Sequence, residues 1–147
     1  MRASELGTSV REALAGDAPR IVALSAQLGY EVSQAHVEQY VHALNADRTV
    51  LVAVVPRVGV VGWIGIQKEY TVTSRNRAHV EGLVVEDEYR GNGIGRLLLE
   101  RAETWARRNG CTRVRLLSNA VRTRAHSFYH RLGYEAIKRE YVFEKPL

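Results

Sequence analysis

Cysteine, long apolar runs and clustered metal ligands are scarce in this sequence, and each scarcity excludes a class of protein. The one cysteine, Cys111, cannot form an internal disulfide, which argues against a disulfide-stabilised scaffold. The five histidines are scattered and predict no metal site. The longest apolar run, residues 50–55, is far shorter than the roughly 18 residues of a membrane helix. We expect no membrane segment and no secretory signal, and therefore a cytoplasmic protein.

The composition is that of a folded domain, but its charge is uneven. Hydrophobic residues make up 46% and charged residues 25% of the 147 positions, so we expect a single domain over residues 1–147. The formal net charge is +5, and residues 90–131 hold ten arginines against Glu100 and Glu103, a local balance of +8. Such a segment fits an anionic partner (nucleic acid, an acidic surface or a phosphorylated ligand), and it also fits a solvated helix face.

The periodicity of apolar residues predicts an α+β domain with the element order β-α-α-β-β-β-α-β-α-β-β. Asp17 and Ser33 are predicted to cap the first two helices. Residues 49–55 and 60–70 are predicted to form an antiparallel hairpin, and residues 73–76 a polar loop after it. The other predicted strands lie at residues 10–14, 78–85, 113–118, 134–137 and 141–143, and the later helices at residues 94–108 and 124–132.

A glycine-rich turn follows the strand predicted at residues 78–85. Gly91, Gly93 and Gly95 let the backbone approach an anion closely, while the free amides and the dipole of the following helix attract it. A P-loop would end in Gly-Lys-Ser/Thr, whereas this turn ends in Gly-Arg-Leu. A dinucleotide fingerprint needs G-x-G-x-x-G and an acidic end to the next strand, but the spacing here is G-x-G-x-G and the strand ends in Ser-Asn. The turn therefore indicates a phosphate-binding device of another kind.

Two segments resemble the GCN5-related N-acetyltransferase (GNAT) family. Residues 90–95, Arg-Gly-Asn-Gly-Ile-Gly, resemble its R/Q-x-x-G-x-G/A signature, and residues 125–134 resemble its A-x-x-F-Y-x-x-x-G-F/Y segment. The predicted element order also fits the family, so the resemblance covers nearly the whole chain. It implies a mixed, mostly antiparallel central sheet flanked by helices. It also implies an N-acetyltransferase that moves an acetyl group from acetyl-CoA directly to a primary amine of a small molecule, in a ternary complex.

The resemblance implies which residues bind acetyl-CoA. The amides of the glycine-rich turn would hold the pyrophosphate, and the pantetheine arm would pair with the strand at residues 83–85. Asn119 would orient that arm or a water molecule, and no metal is expected. The implied acetyl-CoA-binding residues are Leu83, Val84, Val85, Arg90, Gly91, Asn92, Gly93, Ile94, Gly95, Arg96 and Asn119.

Tyr129 and Glu81 are the expected catalytic residues. An alkyl amine of pKa about 10.4 needs a base before it attacks a thioester, and the departing thiolate needs an acid. Tyr129 matches the family position that protonates the sulfur, and Glu81 matches a position where many relatives carry a glutamate base. Gly82 is expected to lie in a β-bulge, although relatives commonly carry an acidic residue there. His79 and His126 are alternative bases.

The identity of the acceptor stays open at this stage. The resemblance places the acceptor near residues 28–34, residues 67–77 and the final two strands. Candidate lining residues in these segments are Tyr30, Glu31, Glu69 and Tyr70. A protein N-acetyltransferase is an alternative to a small-molecule enzyme. Members of the family are often homodimers, which this sequence neither supports nor contradicts.

Two other functions are weighed against the enzyme. A non-catalytic acyl-CoA sensor would share the fold, but it would lack the acid and base that Tyr129 and Glu81 supply. A nucleic-acid-binding module would account for the basic segment, and it predicts aromatic residues interleaved with basic ones on one surface. Trp105 lies instead on the apolar helix stripe and Phe128 in the family motif, so we expect no nucleic-acid partner.

Overall fold

A five-stranded sheet organises residues Met1–Leu117, the first of two compact units in the computed structural model, which describes all residues 1–147. The strands β1 to β5 follow one another across the sheet in chain order. They are β1 (Ser9–Glu12), β2 (Arg48–Val55), β3 (Gly59–Thr71), β4 (Ser74–Val85) and β5 (Arg113–Leu116). The helices of this unit are α1 (Ala18–Gln27), α2 (Gln34–His42) and α3 (Ile94–Arg108), with short 3-10 turns before α1 and α3.

The first four strands form an antiparallel meander, and β5 pairs in parallel with β4. Short turns suffice for the antiparallel connections, whereas the parallel pair needs the crossover that α3 provides. The result is a mixed, mostly antiparallel sheet flanked by helices. This confirms the predicted fold class.

Helices cover both faces of this sheet. Ile21 and Leu24 of α1 and Val37 of α2 pack in one buried cluster with Val52 and Val84 of the sheet. Side chains alternate between the faces of a strand, so Leu83 and Val85, the residues on either side of Val84, point to the opposite face of the sheet. On that second face, a Cβ at Gly62 would lie 3.2 Å from the Leu98 side chain of α3 and 3.4 Å from Val85. The sheet is therefore the middle of three layers.

The two predicted helix caps behave differently. Ser33 accepts a hydrogen bond from the amide of His36 at 3.1 Å, as predicted. Asp17 stands at the N-cap of α1, but its carboxylate accepts from the Leu14 amide at 2.8 Å and from Arg11 instead. These bonds close the short turn before the helix and hold the pKa of Asp17 below its usual value, chiefly through Arg11. No helix of the chain combines the length and the apolar character needed to cross a bilayer.

The β3–β4 hairpin is longer than predicted. The sequence indicated a loop at residues 73–76, whereas β4 begins at Ser74 and pairs with Thr71. Glu69 and Arg77 stand opposite each other in this extension and form an ion pair. Cross-strand pairs of opposite charge stabilise a sheet. This pair therefore stabilises the part of the hairpin that lies outside the apolar segments from which the two strands were predicted.

The second compact unit, Ser118–Leu147, contains α4 (Thr123–Arg131). The C-cap of the helix is Leu132, and the next residue, Gly133, has a φ of 91°. The strands predicted at residues 134–137 and 141–143 are wrong, because the chain after Gly133 is irregular. Tyr, Val and Phe have high strand propensity, but a strand also needs a hydrogen-bonding neighbour. This unit holds no strand with which these residues could pair, and Tyr141, Val142 and Phe143 are 87–92% exposed.

Candidate active site

The glycine-rich turn, which follows β4 and a short 3-10 turn at Asp87–Tyr89, leads into the open N-terminus of α3. Gly91 and Gly93 have φ values of 81° and 83°, in the left-handed region that favours glycine. A Cβ at either position would meet no atom within 4 Å, so conformation rather than space requires glycine. Gly93 is the N-cap of α3 and offers no side-chain acceptor. The first amides of α3 therefore remain open to a bound group.

Hydrogen bonds fix the turn without using those amides. Arg90 donates from Nε to the Val85 carbonyl at 3.0 Å, and Asn92 donates from its side chain to the Tyr89 carbonyl at 2.9 Å. The Asn92 carbonyl accepts from the amide of Ala3 at 2.6 Å. The turn is thus braced by the end of β4 and by the N-terminal segment.

Both arginines of the turn already have acidic partners. Arg90 pairs with Asp87 at 2.8 Å, and Arg96 pairs with Glu100 one helical turn later at 2.8 Å. Glu100 also raises the pKa of exposed Arg96. The attraction for an anion at this turn therefore comes first from the amides and the helix dipole, and only secondarily from the two side chains.

The edge of β4 next to the turn is unpaired. The parallel pairing with β5 covers Arg77 to Val80 and stops where Val80 meets Leu116. Leu83, Val84 and Val85 pair with β3 on one side only. An unpaired strand edge presents a row of amides and carbonyls to any extended chain. Only residues 86–93 separate the open edge from the open helix terminus, so one elongated ligand can span both.

A β-bulge carries Glu81 out of the regular register. Gly65 pairs with Gly82 while Ile66 pairs with Val80, which leaves Glu81 as the extra residue and confirms the bulge expected at Gly82. The Glu81 carboxylate lies over Gly65, where a Cβ would collide with it. A Cβ at Gly82 would lie 2.6 Å from the Trp63 ring. Two glycines thus make room for the bulge, and the Glu81 side chain remains exposed.

Tyr40 of α2 holds the Glu81 carboxylate. Its hydroxyl lies 2.9 Å and 3.1 Å from the two carboxylate oxygens. Burial and the negative charge of Glu81 raise the pKa of Tyr40 to about 12, so the phenol stays a donor throughout the neutral range. The Arg48 guanidinium stands 5.0 Å from the centre of the Tyr40 ring. Sequence reasoning missed this contact, because Tyr40 falls in the apolar stripe of its helix and reads as a core residue.

Tyr40→Phe tests this contact. The substitution removes one hydrogen bond to a charged group and keeps the ring, so we expect kcat/KM for amine acetylation to fall about ten-fold. Steady-state kinetics would measure the change. The same substitution in a Glu81→Gln background is the control, because it should cost much less once the charged partner of the hydroxyl is gone; an equal loss of kcat/KM in both backgrounds would contradict the role of Tyr40.

Tyr129 and Asn119 belong to the second unit. Tyr129 lies on α4 and makes edge contacts with the rings of Phe128 and Tyr134, at 5.2 Å and 6.1 Å between centroids. Burial raises the pKa of Tyr129, opposed by the charge of Arg122, so the phenol is protonated at neutral pH. Asn119 accepts from the Val121 amide at 3.1 Å and forms a turn before the helix.

The alternative bases have other surroundings. The ring Nε2 of His126 lies 3.0 Å from the Asn119 carbonyl, so this side chain belongs to the turn before α4. His79 stands on β4, and its Nδ1 is buried without a hydrogen-bond partner, 3.7 Å from a carboxylate oxygen of Glu69. Cys111 is buried, and burial raises the pKa of its thiol, which fits an inert side chain.

The sequence of the chain matches the model of the acetyltransferase (GNAT) family over residues 18–134. The chain belongs to this family. The match includes α1, the whole of β2 to β5, the glycine-rich turn and α4. The acetyltransferase resemblance drawn from two short motifs is thereby confirmed at the level of the family.

Known proteins similar to this GNAT member include two curated N-acetyltransferases. The aminoglycoside N(6')-acetyltransferase type 1 of Stenotrophomonas maltophilia is 32% identical over 68 residues, 46% of this chain and 44% of that protein. The glucosamine 6-phosphate N-acetyltransferase of Trypanosoma brucei brucei is 35% identical over 75 residues, 51% of this chain and 49% of that protein. The matched region thus spans about half of either relative or less.

A solved structure extends the likeness to the whole chain. The enzyme AAC(6')-Iy, in complex with the bisubstrate analog CoA-S-monomethyl-acetylneamine, has a TM-score of 0.81 to this GNAT member. The superposition covers 95% of this chain and 99% of that one at 15% identity. At such low identity the likeness establishes a common fold.

Proposed function

We propose that this protein is an N-acetyltransferase that transfers the acetyl group of acetyl-CoA directly to a primary amine of a small molecule, in a ternary complex. The observation that carries the proposal is the open edge of β4 at residues 83–85, followed across residues 86–93 by the open N-terminus of α3. Residues 1–147 would act as one acetyltransferase domain. Family membership and the N-acetyltransferases among the relatives support this reaction class.

The residues of the first unit fit acetyl-CoA. Leu83, Val84 and Val85 offer backbone amides and carbonyls to the amide groups of a pantetheine arm, as a strand edge does for a peptide. The amides between Gly91 and Arg96 would bind the pyrophosphate at the helix terminus. Asn119 would orient the arm or a water molecule. Acetyl-CoA supplies the acetyl group as an activated thioester.

Glu81 and Tyr129 would divide the proton transfers. The exposed Glu81 carboxylate, fixed by the Tyr40 hydroxyl, would accept a proton from the acceptor amine, directly or through water. An amine of pKa about 10.4 is mostly protonated at neutral pH, so it cannot attack before that proton leaves. Tyr129, neutral because burial raises its pKa, would donate a proton to the departing thiolate. The two side chains distinguish this proposal from a sensor that only binds acyl-CoA.

Release of free CoA thiol, measured across a panel of amines, tests the proposal. The panel spans amino sugars, aminoglycosides, polyamines, amino acids, aminophosphonates and peptide N-termini. We expect release from acetyl-CoA to depend on one class of amine and to exceed the amine-free rate at least 100-fold, because the proposal supplies both an acid and a base. Mass spectrometry of the product would locate the acetyl group.

Other outcomes of this panel have defined meanings. Release with peptides alone would replace the small-molecule acceptor by a protein acceptor. Acetyl-CoA binding in calorimetry with no release from any amine would support the non-catalytic sensor instead. Absence of acetyl-CoA binding would overturn the proposal entirely.

A further inference from the structure

Beyond Glu81, the same face of the sheet carries a group of ionisable side chains. Residues paired in register point to the same face. Gln67 pairs with His79 and Glu69 with Arg77 across β3 and β4. Arg77 pairs with Arg113 and His79 with Arg115 across β4 and β5. Glu81 lies two residues after His79, and its contact with Tyr40 identifies this face as the one that α2 borders.

This face of the sheet carries more arginine side chains than the structure pairs with carboxylates. Arg77 forms an ion pair with Glu69, and both side chains are 22% exposed. Arg115 is half-buried and has neither an ion pair nor a hydrogen bond, and Arg113 is exposed and equally unpaired. Next to Arg115, the Nδ1 atom of His79 is buried without a hydrogen-bond partner. Charged groups that are withdrawn from water normally have a partner, so the half-buried, unpaired guanidinium of Arg115 marks a place for an anionic ligand.

We propose that Arg115, assisted by His79 and Arg113, binds an anionic group of the acceptor, so that the substrate is a primary amine bearing a phosphate or a carboxylate. This inference rests on the proposed acetyltransferase function. A guanidinium matches both anions geometrically, because its parallel N–H groups bind two oxygens at once. We name this group the anion subsite: Arg115, His79 and Arg113.

The spacing of the strands sets the reach of such an acceptor. Glu81 and His79 are two residues apart, roughly 6.6 Å along β4, and β5 lies roughly 4.8 Å to the side. The Cα atoms of Glu81 and Arg115 are therefore about 8 Å apart. An acceptor that presents its amine to Glu81 and an anion to Arg115 needs several bonds between the two groups, as in a hexosamine phosphate or an ω-amino acid.

The alternative is a polycationic acceptor. Such an amine would need several acidic partners. Glu69 is not free to be one of them, because it already pairs with Arg77 and lies 3.7 Å from His79. Among the carboxylates that β3 to β5 carry on this face, Glu81 alone remains for one ammonium group, while Arg113 and Arg115 would repel the others. The charges on the face thus favour an acceptor with one amine and one anion over an amine with many positive charges.

Matched substrate pairs test the subsite. Glucosamine 6-phosphate is compared with glucosamine, and 6-aminohexanoate with its amide, using kcat/KM for CoA release. We expect the anionic member of at least one pair to be preferred ten-fold or more, and the preferred pair identifies phosphate or carboxylate. Kanamycin, a polycation, should be a poorer substrate than either anionic amine.

Variants locate the effect. Arg115→Gln should lower the preference at least five-fold while leaving kcat/KM for the neutral amine within two-fold, and Arg115→Lys should retain part of it. Arg107→Gln is the matched control, since it removes the same charge from the exposed last turn of α3. Circular dichroism melting would show that the variants fold. Equal use of the charged and neutral members by the wild-type protein would overturn the subsite and leave the acetyltransferase intact.

Two further outcomes separate the subsite from the function on which it rests. If Arg115→Gln raises the KM for acetyl-CoA and leaves the acceptor preference unchanged, the guanidinium serves the cofactor and the inference is wrong. If no amine is acetylated, calorimetry of glucosamine 6-phosphate and 6-aminohexanoate with the CoA complex decides. Binding that Arg115→Gln weakens and Arg107→Gln does not would sustain the subsite while the proposed function fails, and no binding would overturn both.

Discussion

Replacing Glu81 by glutamine is expected to lower kcat for amine acetylation about 100-fold, within the range that loss of a general base costs. Glutamine has the size of glutamate, so it still fits over Gly65 and still accepts a hydrogen bond from Tyr40. It cannot take up the proton of the amine. The KM for acetyl-CoA should change less than two-fold, because Glu81 precedes the edge at residues 83–85 to which the pantetheine arm is assigned.

The pH profile distinguishes this loss from a general disturbance. The wild-type protein supplies its own base, whereas the glutamine variant depends on amine that has already lost its proton. The rate of the variant relative to the wild type should therefore recover as the pH rises toward the amine pKa of about 10.4. Stopped-flow or steady-state assays between pH 5 and pH 9 would measure it. Glu144→Gln, at an exposed position near the C-terminus, is the control; a variant profile parallel to that of the wild type would assign the base elsewhere.

Tyr129→Phe is expected to lower kcat at least ten-fold, because it removes the proton donor for the thiolate and retains the ring. Phenylalanine preserves the edge contacts with Phe128 and Tyr134, so α4 should keep its packing. Because burial raises the pKa of Tyr129, the hydroxyl stays protonated through neutral and mildly alkaline pH. The wild-type rate should therefore decline only at strongly alkaline pH, and the variant should lack that decline.

Binding and rate together make the Tyr129 result decisive. Acetyl-CoA titrated calorimetrically should bind the phenylalanine variant with a Kd within two-fold of the wild type. Tyr141→Phe, at a side chain that is 90% exposed, should leave both quantities unchanged. If Tyr129→Phe turns over at the wild-type rate, the phenol is a packing residue of α4 and the thiolate receives its proton from another source.

The glycine-rich turn was predictable because its constraint is local. Gly91 and Gly93 adopt positive φ values, and the helix that follows has a clear apolar periodicity. Both features depend on a segment of about twenty residues. The bulge at Glu81 was foreseeable for a similar reason, since Gly82 interrupts an otherwise apolar strand. The match to the GNAT family over residues 18–134 includes both of these segments. Features that depend only on residues close together in the chain are thus found in the structure as predicted.

Features that depend on distant partners were not predictable. The Tyr40–Glu81 hydrogen bond joins residues 41 positions apart, and nothing in the apolar stripe of α2 indicates that one hydroxyl turns toward the sheet. The extension of the β3–β4 hairpin depends on the pairing of Glu69 with Arg77, which only register reveals. The two wrong strands after Gly133 fail in the opposite sense, because propensity was present and a neighbouring strand was not.

The open edge of β4 has a thermodynamic consequence if the pantetheine arm occupies it. The cofactor would then serve as an added strand along the unpaired edge of β4, and the folded state would become more stable with every increase in cofactor concentration. At a hundred times Kd this linkage is worth about 2.7 kcal/mol, a substantial share of the stability of a small domain. The amount of folded protein in a cell would then follow the supply of activated acetyl groups, so that starvation would remove the catalyst together with its substrate.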